Sequence, residues 1–135
     1  MKKVITFGVF DCFHYGHLRL MERAKKLADE DCYLIVAVQD SEYVLKYKPN
    51  TKVVYDNEKR MEILRALRVV DEVILYKDVD KDIKNIDFDI LVLGGDQNHA
   101  GFIKASTWAK VNGKKVVRLE RTKGISSTQI RCGIK

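Results

Sequence analysis

Short, nearly continuous apolar runs alternate along this chain with longer stretches of three-to-four periodicity, and few folds accommodate that alternation. Cys32–Val38 (CYLIVAV) is apolar throughout, as a strand covered on both faces requires. Lys3–Gly8, Asp71–Tyr76, Phe88–Leu93 and Lys115–Leu119 bring the strand-like segments to five. Between them, Gly16–Ala28 carries Leu18, Met21, Ala24 and Ala28 at helical spacing, and Asn57–Leu67 repeats the pattern with Met61, Leu64 and Leu67. Asp80–Asn85 reads as a short polar helix, Phe102–Asn112 as a helix stopped by Gly113, and Ser126–Arg131 as a last short helix. Residues 39–56 are polar, hold the only proline, Pro49, and read as a long loop. The alternation predicts an α/β fold: a single Rossmann-like domain over residues 1–135, with a five-stranded parallel sheet and helices on both faces.

Sheets of this kind bind ligands outside the carboxyl ends of their strands, where the strand order reverses. The loops after the first, second, fourth and fifth strands are therefore where chemistry is expected. The first of them runs Gly8-Val9-Phe10-Asp11-Cys12-Phe13-His14-Tyr15-Gly16-His17 into a helix. It lacks the GxGxxG of a dinucleotide site. Instead, two histidines flank a glycine at a helix start, a spacing that lets both imidazoles face one cavity beside free backbone N–H groups and the positive end of the helix dipole. Imidazole N–H donors placed there suit a phosphate whose charge grows during reaction. Zinc is the rival use, but it needs three or four ligands, and His99 is the only other histidine. After the fifth strand, Arg121-Thr122-Lys123-Gly124-Ile125-Ser126-Ser127-Thr128 joins an arginine to a glycine turn and serines suited to cap a helix. Two phosphate-facing helix starts at one sheet edge make a sharper signal than either alone.

Composition bounds the partners. Of the 135 residues 46% are apolar and 33% charged, the balance of a globular chain. Runs such as Ile90–Leu93 fall far short of the roughly 20 residues needed to cross a bilayer, and the N-terminus carries no signal-peptide pattern. Cys12, Cys32 and Cys132 are scattered with no CxxC spacing, so a reduced, cytoplasmic protein is expected. The net charge of +6 favours an anionic partner. The basic residues form no single block, and Tyr43, Tyr47 and Tyr55 near Lys46–Lys52 interleave only faintly with them. A polyphosphate ligand is expected, without nucleic acid or membrane.

HxGH within GxFDxxHxGH, followed late in the chain by RTxGISST, resembles the cytidylyltransferase family of the HxGH nucleotidyltransferases, nearest to its glycerol-phosphate branch. The resemblance covers nearly the whole chain. It implies transfer of CMP from CTP to a small phosphorylated acceptor, with magnesium (Mg2+) as cofactor and a homodimeric assembly. His14 and His17 match the signature histidines that contact the triphosphate, and Gly16 the glycine that lets the nucleotide approach. Gly8, Val9, Phe10 and Asp11 belong to the same nucleotide-binding signature, with Asp11 orienting the loop or helping to place the metal ion. Lys46 fits a basic loop after the second strand that clamps the reacting phosphates, and Arg60 matches the arginine of the following helix. Gly94 and Asp96 lie where the family places its base-and-ribose loop. Arg121, Ser126, Ser127 and Thr128 match the late phosphate motif, Arg121 being expected to neutralise charge in the reaction. Val9 stands where these enzymes commonly have threonine, Lys123 replaces a glutamate, and Gln97–Gly101 differs from their acidic, tryptophan-containing stretch. The rival functions are adenylyl transfer to FMN or a sugar phosphate by the same architecture, and nucleotide binding without turnover.

Overall fold

The computed structural model describes residues 2–28, 31–95, 97 and 99–119. Five parallel strands form one sheet in the order β3-β2-β1-β4-β5, with β1 at Lys2–Gly8, β2 at Cys32–Gln39, β3 at Glu72–Tyr76, β4 at Ile90–Gly94 and β5 at Lys115–Leu119. The helices are α1 (Tyr15–Lys25), α2 (Ser41–Tyr47), α3 (Asn57–Arg65), α4 (Val79–Asp82, continued by a 3₁₀ turn at Ile83–Asn85) and α5 (Ala100–Val111). Strand order runs outward from β1 through β2 to β3, then jumps back across β1 to β4. The switch point, and so the ligand crevice, lies between the carboxyl ends of β1 and β4.

Strand alternation sorts the core into two layers. Val4, Leu34, Val36, Val38, Ile90 and Val92 pack on one face against Met21 and Ala24 of α1 and Met61 and Leu64 of α3. Ile5, Phe7, Ile35, Ala37, Leu91 and Leu93 pack on the other against Val79, Ile83 and the Phe102, Ala105 and Ala109 row of α5. Because both faces are covered, the central strands read as unbroken apolar runs. At the amino-terminal edge, the Asp89 carboxylate accepts the Lys3 N–H at 2.9 Å and the Asp71 carboxylate accepts the Leu34 N–H at 2.8 Å. Strand starts are thus closed far from the crevice.

The predicted strands and most helices stand where the sequence puts them, with shifts of one to three residues at their ends. Gly113 follows α5 at φ +76, the left-handed position that ends a helix without a Cβ clash. One expectation fails: residues 39–56 are not a continuous loop, because α2 occupies Ser41–Tyr47. Asp40 caps it, its carboxylate accepting the Glu42 N–H at 3.0 Å, and only Val44 is buried. A seven-residue helix with one buried position has no periodicity to read. The short helix expected at Ser126–Arg131 lies outside the described residues.

Gly8 ends β1 under the Phe10 ring. A Cβ there would come within 2.8 and 2.9 Å of the Phe10 Cζ and Cε2 atoms. Gly8→Ala should therefore cost about 1–3 kcal/mol of stability through overpacking, read as a lower urea midpoint at unchanged m-value.

Candidate active site

Past Gly8 the chain makes an abrupt bend in which two non-glycine residues, Phe10 and Cys12, take the left-handed region at φ 53 and 51. What holds them there is Asp11 between them, only 2% exposed. Its carboxylate accepts the backbone N–H groups of Val54 (2.6 Å), Tyr55 (3.0 Å) and Cys12 (3.2 Å). Of the two roles the resemblance offers Asp11, the structure shows the loop-orienting one. Phe10, expected among the nucleotide contacts, is buried in the core layer under α1, where its ring fastens the loop.

Arg60 completes this frame from α3. Its side chain is 1% exposed, and its Nε donates to Tyr55 O (3.1 Å) while Nη1 donates to both Val9 O and Gln39 O (2.9 Å each). Nη2 donates to Asn57 Oδ1 at 2.6 Å, and the same oxygen accepts the Ser41 N–H that opens α2. Burial pulls the guanidinium's pKa down, while Asp11, Asp40 and Asp56 act to raise it. The carboxyl ends of β1 and β2, the 51–56 strap and the start of α2 therefore converge on one buried cation. Arg60, expected among the nucleotide-binding residues, thus ties those segments together.

The two histidines form the first turn of α1. His14 is the N-cap residue, its Nδ1 accepting the Gly16 N–H at 3.0 Å, and His17 Nδ1 accepts the His14 N–H at 3.2 Å. This is a capping box built from imidazoles, where serine and glutamate usually serve. The rings stack with centroids 3.8 Å apart, and Phe13 and Phe10 flank His17 at 5.3 and 5.4 Å. With Nδ1 used as an acceptor, each neutral ring carries its proton on Nε2. Desolvation lowers the His14 pKa, so this ring is a neutral donor at pH 7. No acidic residue lies in the first turn of α1, so the positive end of its dipole is left to an incoming anion.

Gln97, noted in the sequence only within the departing Gln97–Gly101 stretch, and Arg118, not singled out there, both hold the carboxyl end of β4. The Gln97 carboxamide donates to Phe7 O (2.7 Å) and accepts the Gly94 N–H (2.9 Å). Paired residues of β1 and β4 end at Thr6 and Val92, so this side chain bridges the strands where they part, across the switch point. Arg118 on β5 donates from Nη1 to Gly94 O and Gln97 O at 3.0 and 3.2 Å. The only sequence signal was the location of Gln97 after the fourth strand.

Lys46 sits on α2, a helix where a loop was expected. Its ammonium lies 5.2 Å from the Tyr43 ring centroid and 5.6 Å from that of Tyr47. The structure thus brings Gly8, Val9, Phe10, Asp11, His14, Gly16, His17 and Gly94 to the carboxyl edge of adjoining strands, with Arg60 beneath them. Asp96, Arg121, Ser126, Ser127 and Thr128 lie outside the described residues.

The profile described as cytidylyltransferase-like matches residues 5–133. A glycerol-3-phosphate cytidylyltransferase of Bacillus subtilis is 41% identical over 135 residues, covering 97% of this chain and 95% of its own. An FAD synthase of Ferroglobus placidus is 44% identical over 100 residues, 73% of this chain and 62% of its own. Among solved structures, a lipopolysaccharide core biosynthesis protein from Thermoplasma volcanium superposes with TM-score 0.74 at 29% identity, over 91% of this chain and 99% of its own.

Two outcomes follow from the site's frame. Arg60→Met should cost about 3 kcal/mol or more, since three carbonyl oxygens each lose a donor at roughly 1–3 kcal/mol; urea denaturation measures it. His14 is kept neutral by the fold, so the stability it contributes is present above its ordinary pKa of 6.5 and is lost as pH falls through its lowered folded value. Amide exchange at Gly16 should accelerate over that descent. His14→Asn, which keeps a cap acceptor without a titrating ring, should flatten the response.

Proposed function

The chain belongs to the cytidylyltransferase-like family and is a nucleotidyltransferase, and from that premise we propose that it transfers CMP from CTP to a small phosphomonoester, glycerol 3-phosphate first, releasing pyrophosphate. The observation that carries the reading is the reciprocal imidazole cap, in which both Nδ1 atoms accept backbone N–H groups at a helix N-terminus whose first turn holds no acidic residue. An acceptor phosphate oxygen attacks the α-phosphorus in line, and the bond to the bridging oxygen of pyrophosphate breaks. An ionised phosphate needs no general base, so the chemistry rests on positioning and charge stabilisation. His14 and His17 donate to phosphate oxygens as their charge grows. Lys46 and Arg121 neutralise the triphosphate. Gly94, Asp96, Ser126, Ser127 and Thr128 complete its binding.

Magnesium enters this reading as part of the nucleotide substrate. The protein groups do not fit a metal cage: the Asp11 carboxylate carries three backbone N–H groups, and the described residues bring no three of His, Cys, Asp and Glu together. No step is routed through a protein-held metal. A homodimer and a cytoplasmic location complete the proposal. The exposed Leu75 on the edge strand β3 and Ile63 on α3 supply apolar surface for a second copy, and sedimentation reads the state. No described helix is long and apolar enough to cross a membrane.

The FAD synthase relative supports a second reading, adenylyl transfer to FMN. Pyrophosphate release with each of the four common nucleoside triphosphates, against glycerol 3-phosphate and FMN, separates the two. CTP-dependent release with glycerol 3-phosphate supports the first reading, and ATP-dependent release with FMN replaces it with the second. His17→Ala should lower turnover about a hundred- to a thousand-fold while CTP binding changes far less. Near-normal turnover in that variant would remove His17 from the mechanism.

A further inference from the structure

Beyond the histidine loop, a second basic feature stands at the same sheet edge. Lys77 directly follows β3, and its ammonium lies 5.8 Å from the centroid of the Tyr43 ring, the ring that also carries Lys46 at 5.2 Å. Two ammonium groups therefore gather around one aromatic ring. In the described residues neither takes part in an ion pair.

The arrangement is held from three sides. The Lys77 N–H donates to the Asp82 carboxylate at 2.6 Å, and the Lys77 carbonyl accepts from Gln39 Nε2 at 3.0 Å. The Tyr47 hydroxyl donates to the Asp78 carboxylate, which fastens α2 to the turn after β3. Three of the neighbouring acids are thereby engaged elsewhere: Asp78 by Tyr47 and, at 3.9 Å, by Lys81; Asp82 by the Lys77 backbone; Asp40 by the cap of α2. Two like charges around one ring, in no ion pair among the described residues, repel, and an anion relieves that repulsion.

Location fixes which anion. Gly8, Gln39 and Tyr76 close three neighbouring strands: Gly8 pairs with Val38, one residue before Gln39, and Gln39 pairs with Tyr76. Strands lie about 4.8 Å apart, so the end of β3 is about 10 Å from the end of β1. A lysine side chain covers much of that span, leaving room for a small phosphomonoester beside the imidazoles. We propose that Lys77, with Lys46 and around the Tyr43 ring, binds the phosphate of the acceptor. Lys77 is then a specificity residue for a dianionic phosphomonoester. The inference rests on the cytidylyltransferase reading for the acceptor's identity, and on the ammonium pair alone for the anion.

The test is binding and kinetics side by side. Glycerol 3-phosphate, with inorganic phosphate as a second probe, is titrated calorimetrically into the full chain and into Lys77→Ala, Lys77→Arg and Tyr43→Leu, each checked for native circular dichroism. Loss of a charge-assisted contact predicts affinity about ten- to a hundred-fold weaker in Lys77→Ala. Lys77→Arg should recover most of the loss, and Tyr43→Leu should fall between. In turnover assays the change should fall on KM for the acceptor and leave KM for CTP nearly constant. Equal affinity in Lys77→Ala and the unaltered chain overturns the proposal, as does equal weakening of CTP and acceptor, or an unaltered chain that binds neither probe. Lys77-dependent phosphate binding without CTP turnover keeps the anion subsite and removes the cytidylyl reading. CTP turnover with Lys77-independent binding does the reverse.

Discussion

A buried guanidinium gathers the carboxyl end of this sheet into one object. Arg60 sits where backbone carbonyls of the β1 loop, the β2 end and the 51–56 strap would otherwise face each other unpaired. Carbonyl dipoles pointing at a common centre repel, and a planar cation with several forked donors satisfies them together. Asp11 supplies the complementary half, taking N–H groups from the same strap. The anion and the cation fix the strap from opposite polarities, so the left-handed residues Phe10 and Cys12 are held by bonds on either side. Strain in the signature loop is thus offset by polar contacts in a segment more than forty residues away in sequence.

On that frame the histidines do two things with one set of atoms. Their Nδ1 atoms terminate α1, and this leaves the proton of each neutral ring on Nε2. A serine and glutamate cap would also close the helix, but its glutamate carboxylate would repel phosphate. Two stacked imidazoles close the helix and remain donors. Ordinary helix capping thus sets the tautomers of both neutral imidazoles.

The sequence exposed the parts of this design that repeat or that are chemically unusual. β2 is legible because both its faces are covered, and α1 because Met21 and Ala24 meet the core at helical spacing. His14, Gly16 and His17 stand out because few structural needs place such residues at a helix start. Arg60 was visible as a basic residue but its role was not, since partners at Val9, Gln39 and Tyr55 are set by tertiary packing. The same holds for Gln97, whose carboxamide spans two strands that are joined only by the fold. α2 escaped notice because its stability comes from Asp40, Asn57 and one buried valine. Long-range polar contacts leave no period in a sequence.

The imidazole cap also bears on how such a chain diverges. Where catalysis and folding draw on separate residues, a lineage released from its old substrate sheds the catalytic ones first. Here, exchanging either histidine for an apolar residue removes one half of the α1 cap whatever the substrate. Purifying pressure on foldedness alone therefore guards both histidines, and innovation is channelled into the rim of the crevice. Descendants of this architecture should keep their imidazoles through changes of base and acceptor, and carry the record of those changes in the turns that follow β3 and β4.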